Sequence, residues 1–198
     1  MSSGAQSALV PDPTSGYLPT GRHRTTEADI RAQFVDGADF AASTTRAAIW
    51  DEYELGRDLL RRKARIHAVW VGGSFLTSKV DAKDIDALFI VSGRDYRNQD
   101  TAGKKVVDSY RPQAGPFGQI VRGHGLTRLD SYLLMWSPFS PFEPRLAPEH
   151  TQYAVNRGYW DDWWPRDRHN KPDGKPPHWK DALPVRGYLE VELDAYDR

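Results

Sequence analysis

The chain has no cysteine among its 198 residues. That excludes disulfides, thiolate zinc sites and thiol nucleophiles, and leaves any metal to carboxylates and imidazoles. It also has no excess of charge, since 27 Lys and Arg balance 27 Asp and Glu. No global field then draws nucleic acid or an anionic membrane, and such a partner would need a local patch. Nowhere do roughly 18 apolar residues run together, and the N-terminus has no charged start followed by an apolar stretch of roughly 7–15 residues. The expectation is a cytoplasmic protein without a membrane partner. The six histidines are scattered with no pair at helical ligand spacing, which argues against zinc, and His124 between two glycines is the one candidate substrate contact.

What is present has the length of one domain with tails. Residues 1–24 are rich in Ser, Gly, Pro and Thr without periodicity and read as a flexible N-terminal arm. Residues 25–198 read as a single domain, with a core over 44–136 and a Pro/Trp-rich C-terminal extension over 137–198. Thr26 and Asp29 have capping-box spacing ahead of Ile30, Phe34 and Val35, which predicts a short helix from Glu27. Ile49, Tyr53, Gly56, Leu59 and Leu60 recur at helical spacing and predict a helix over 45–63. Strands are expected at 66–71, 85–91, 126–135 and 187–193, with helices at 101–110 and 152–164 and a Pro/Gly/Lys loop at 171–177. The fold class is α/β (α+β), a mixed sheet flanked by helices.

The chemistry concentrates in VWVGGSFLTSKVDAKDIDALFIV, residues 69–91. Gly72 and Gly73 leave a buried strand where glycine allows a sharp turn and a close approach to the backbone, and Ser74 adds a hydroxyl and an NH. In the next strand side chains alternate, so Asp84 and Asp86 lie one pleat apart on one face, with Ile85 and Ala87 on the other. Two adjacent carboxylates repel unless a cation or a proton neutralises them, which points to a divalent metal with oxygen ligands, such as magnesium. The glycine turn would hold phosphate oxygens that the metal bridges to the carboxylates.

Gly72-Gly73-Ser74, nine intervening residues, then Asp84-Ile85-Asp86 in an apolar strand resembles the signature of the polymerase-beta-like nucleotidyltransferase superfamily, and most of all its minimal nucleotidyltransferases. The likeness is carried by residues 66–91, and elsewhere only by the order of elements. It implies a nucleotidyltransferase-like fold, a nucleoside triphosphate substrate, two magnesium ions on Asp84 and Asp86, and a third carboxylate on a later strand. Asp130 fits the family's order, while Glu190 and Glu192 on the last strand are the alternatives. The implied reaction moves a nucleoside monophosphate onto a hydroxyl of a protein, a transfer RNA or a small molecule such as an aminoglycoside. Toxin–antitoxin and phage-defence roles come with the resemblance, and with them an antitoxin or other protein partner.

Other features weigh less. Lys79 and Lys83 flank the loop and are candidate phosphate contacts, although exposed lysines are usually only solvated. Arg57, Arg61, Arg62, Lys63 and Arg65 form a basic run that reads first as a helix end with solvated charge. Tyr159, Trp160, Trp163 and Trp164 offer base stacking, or packing of a C-terminal helix onto the core. A rival to the enzyme is a nucleotidyltransferase-like module without turnover, sensing nucleotide or binding protein through its Trp-rich part.

Overall fold

Alternation along the central strands decides how each face of the sheet is covered. In the computed structural model, which describes residues 10–111, 125–138, 148–166 and 183–196, the elements in chain order are β1 (Gly21–Thr25), α1 (Glu27–Phe34), α2 (Arg46–Arg61), β2 (Ile66–Gly72), β3 (Ile85–Ser92), α3 (Gly93–Arg97), α4 (Thr101–Asp108), β4 (Leu129–Trp136), α5 (Pro148–Trp163) and β5 (Gly187–Glu192). They form a five-stranded mixed sheet in the order β1-β5-β2-β3-β4. The pairs β2–β3 and β2–β5 are antiparallel, and β3–β4 and β1–β5 are parallel.

Val69, Val71, Ile85, Ala87, Phe89, Leu129, Leu133, Leu189 and Val191 point to one face, where Ile49, Trp50, Tyr53 and Leu60 of α2 complete the larger core with Ile30 and Phe34 of α1. Gly56 brings α2 against β4, since a Cβ there would stand 2.5 Å from Leu129 Cδ2, and its carbonyl accepts the Tyr110 hydroxyl at 2.7 Å. The opposite face carries Trp70, Leu88, Ile90, Leu134 and Tyr188, and Trp160 and Trp164 of the C-terminal extension pack on it. Apolar and aromatic area is buried on both faces, which stabilises the fold. No helix among the described residues is long and apolar enough to cross a membrane.

The expected helices and strands are found with ends shifted by a few residues, and Thr26 caps α1 by accepting from the Asp29 NH. The arm expected over residues 1–24 is corrected in its second half. Leu18 is buried, and Gly21–Thr25 forms an edge strand parallel to β5. Its residues, GRHRT, carry no apolar alternation because the strand is polar and largely exposed, as suits an edge. The single-turn helix α3 was also not expected; Ser92 caps it through the Asp95 NH, and Asp95 is tied to Arg65. His124 and the loop at 171–177 lie outside the described residues.

The loop between β2 and β3 is built on a buried arginine. Arg46, at 1% exposure, donates from Nε to the Val80 carbonyl, and from its two terminal nitrogens to the carbonyls of Phe34, Phe75, Thr77 and Lys79, at 2.6–3.1 Å. Its guanidinium also lies 3.8 Å from the centroid of Phe40. Burial pushes its pKa down to about 10, against the opposing pull of Asp81. Asp81 in turn accepts from the Thr44 NH and the Ser43 hydroxyl, which ties the loop to the start of α2. Arg46→Met is expected to lower the unfolding free energy by about 3 kcal/mol or more, because it strands several carbonyls at once, and Arg46→Lys should recover less than half of that. Urea denaturation checks this, and unchanged stability in Arg46→Met would contradict the role given to the arginine.

Candidate active site

Register brings the sequence candidates together. Asp86 on β3 lies opposite Gly72, the last residue of β2, and beside Asp130 on β4. Neighbouring strands are about 4.7–4.9 Å apart, and paired residues present their side chains to the same face. Asp86 and Asp130 therefore stand side by side on the face that α5 covers, and Asp84 precedes them by one pleat. Asp84 and Asp86 are half-buried and Asp130 is exposed. Glu190 is two strands away from β3 and is committed elsewhere. It accepts from Trp70 Nε1 at 3.0 Å and pairs with Arg22 and Arg24. Glu192 sits farther along β5, level with Ala68. Of the three candidates for a third carboxylate, Asp130 is the one in register with the pair.

The two glycines have different reasons to be glycine. Gly73 has φ 77° and ψ −165°, and a Cβ there would fall 1.8 Å from Asp86 Oδ2. The Asp86 carboxylate thus occupies the space a side chain would need. Gly72 lies beneath Trp164, whose ring would be 3.0 Å from a Cβ. Ser74 follows in a short 3-10 turn, half-buried, with its carbonyl accepting from the Thr77 hydroxyl at 2.8 Å. Lys79 and Lys83 are exposed on the loop, and both act on Asp84.

Burial, and after it crowding of like charge, governs the electrostatics. Burial, then the nearby Asp130 and Asp84, push the Asp86 pKa up to about 7, with Arg186 pulling the other way and a carboxyl–carboxyl hydrogen bond to Asp130 adding to the rise. Asp84 is raised by burial and then by Asp130, with Lys83 and Lys79 opposing. The Tyr132 hydroxyl donates to Asp130 Oδ2 at 2.9 Å, and burial followed by Asp86 and Asp130 raises its pKa well above the ordinary tyrosine value. No three His, Asp or Glu side chains among the described residues form a ready metal cage. Burial and crowding favour the protonated form of the Asp86 carboxyl, and a proton held in that way is what a divalent ion can displace.

Residues 11–180 match DUF6932, a family of unknown function. The chain belongs to the DUF6932 family. Comparison with curated proteins and with solved structures gives no match.

Three residues of this DUF6932 chain, Tyr132, Arg186 and Arg46, escaped the sequence reading as parts of the site, while Trp164, read as a base-stacking or packing residue, covers Gly72. Tyr132 is bonded to Asp130. Arg186 lies near Asp86 while its Nε donates to the Trp164 carbonyl at 3.0 Å. Arg46 holds the connecting loop. Tyr132 could have been found from its i+2 relation to Asp130 on a strand. The other two depend on contacts between distant segments. The aromatic group of α5 divides as packing and surface: Trp160 lies 4.4 Å from Tyr132 between ring centroids, whereas Tyr159 is 52% exposed.

The contact between Gly73 and Asp86 makes a testable coupling. Gly73→Ala is expected to destabilise by about 3 kcal/mol or more, combining a backbone conformation open essentially to glycine alone with the clash. In an Asp86→Ala background the same change should cost only the backbone share, about 1–3 kcal/mol. Additive effects in the denaturation cycle would contradict the close approach.

Proposed function

We propose that the chain is a magnesium-dependent nucleotidyltransferase with a polymerase-beta-like fold, moving a nucleoside monophosphate from a nucleoside triphosphate onto a hydroxyl acceptor. The observation that supports this most is the register of Asp130 beside Asp86, at the sheet end where the Gly73–Ser74 turn begins. A third carboxylate there completes the set that the sequence resemblance calls for. The mixed sheet with α2 ahead of β2 also agrees with that fold.

The residues fit magnesium by donor chemistry, because three carboxylates and a glycine turn offer oxygen ligands and no sulfur or imidazole. Asp84, Asp86 and Asp130 would hold the ions. Bound magnesium would supply charge stabilisation at the phosphoryl oxygens and ease deprotonation of the acceptor. Gly73 and Ser74 would cradle the triphosphate with backbone NH groups and the Ser74 hydroxyl, with Gly72, Lys79 and Lys83 around it. The acceptor oxygen bonds to the α-phosphorus as the bond from that phosphorus to the bridging oxygen breaks. Pyrophosphate leaves, and Asp130 takes the acceptor proton. No covalent enzyme intermediate is required.

The acceptor classes remain a protein, a transfer RNA or a small molecule, and a toxin–antitoxin or phage-defence setting with an antitoxin partner belongs to the same proposal. A nucleotide-sensing module without turnover would use the same residues. Turnover separates the two. With labelled triphosphates, magnesium and a cell extract, the wild type is expected to label an acceptor, and Asp86→Asn to lower that by more than about 10²-fold, the scale for losing one preorganised electrostatic group. Undiminished labelling in folded Asp86→Asn would refute the catalytic role, while nucleotide binding without labelling would favour the sensing module.

A further inference from the structure

Arg186 stands one residue ahead of β5, outside the glycine and aspartate motif that suggests the site. The antiparallel pairing of β2 with β5 sets Trp70 opposite Glu190 and Val71 opposite Leu189. Arg186 precedes that pairing by three residues, at the sheet end where β2 runs out into the Gly72–Gly73 turn. Alternation along β5 gives Arg186 the face of Tyr188 and Glu190, which is the face of Asp86 and Asp130.

The side chain is anchored at one nitrogen only. Its Nε donates to the Trp164 carbonyl at 3.0 Å, and the Trp164 ring lies over Gly72. The main chain is fixed as well, because the Arg186 NH donates to the Pro165 carbonyl at 3.1 Å and the Gly187 NH to the Leu18 carbonyl at 3.0 Å. Its terminal nitrogens make no hydrogen bond or salt bridge among the described residues. A half-buried guanidinium is therefore held at the mouth of the glycine turn with two nitrogens to offer. Lys79 and Lys83 are exposed on the loop ahead of Asp84, and among the described residues no hydrogen bond or salt bridge fixes their ammonium groups.

We propose that Arg186 is a binding residue for the phosphate chain of the nucleotide, donating its terminal nitrogens to the non-bridging oxygens of the β- and γ-phosphates held at Gly73–Ser74. A planar guanidinium suits that task, since it presents two parallel donors to phosphate and stays charged at any working pH. Its charge also offsets the three carboxylates, which would otherwise repel an incoming triphosphate. The inference rests on the triphosphate reading of the site.

The test compares wild type, Arg186→Gln and Arg186→Lys, with calorimetry of inorganic tripolyphosphate and of ATP, both with magnesium, alongside thermal unfolding. Arg186→Gln is expected to weaken both ligands at least tenfold, and Arg186→Lys, which keeps the charge but loses the paired donors, to recover only part of that loss. Equal loss in the two variants, together with a lowered melting temperature, would assign Arg186 to holding Trp164 and overturn the proposal. Wild-type affinity in Arg186→Gln would overturn it while leaving the triphosphate site intact. Failure of the wild-type protein itself to bind either ligand would instead remove the triphosphate reading, and the inference with it.

Discussion

Three carboxylates at one end of a largely apolar sheet are the constraint around which the site is organised. Asp86 cannot turn away from its neighbours. Gly73 closes in on one side, at a position where even a methyl group would overlap its carboxylate, and Asp130 stands in register on the other. Burial and crowding favour the protonated form of Asp86, the Tyr132 hydroxyl donates to Asp130, and the cation of Arg186 opposes the rise at Asp86. Such a cluster contributes little to folding and costs free energy while its charges stand uncompensated.

The surroundings hold that cluster in a fixed frame. On one side, the loop that carries Ser74, Lys79 and Lys83 closes on the Arg46 guanidinium, so the path from the glycine turn to Asp84 is set by hydrogen bonds to its own carbonyls. On the other, the ring of Trp164 rests on Gly72 and also packs near Trp70 and Tyr188, with centroids 6.5 Å and 5.6 Å away. The C-terminal extension is thus part of the wall of the site, and its aromatic composition follows from covering the face that the carboxylates share.

Much of this was legible in the chain because it is local. Strands β2 and β3 are continuous apolar runs bounded by glycine and aspartate, and the 3.6-residue recurrence in α2 marks its buried face. Asp84, Asp86 and the glycine turn are likewise neighbours in sequence. Pairing was harder to see. The order β1-β5-β2-β3-β4 brings the last strand between the first and second, and no local signal distinguishes Asp130 from Glu190 until strand neighbours are known. β1 was hidden by its polar residues, and Arg46 by its position at a helix start, where a charged residue ordinarily faces water. Burial of that arginine depends on carbonyls contributed by residues 34 and 75–80, which sequence spacing does not reveal.

The central proposal is that Asp84, Asp86 and Asp130 would take up a divalent cation in exchange for a proton held at Asp86. Magnesium titration by calorimetry at pH 6, in two buffers of different ionisation enthalpy, measures the protons released on binding. Because the Asp86 pKa is raised to about 7 in the metal-free chain, most molecules carry that proton at pH 6, so binding should expel it and affinity should rise as the pH goes from 6 to 8. Asp86→Asn should abolish the release. Binding with no buffer dependence, proton release that survives in Asp86→Asn, or no magnesium binding at either pH would contradict the account.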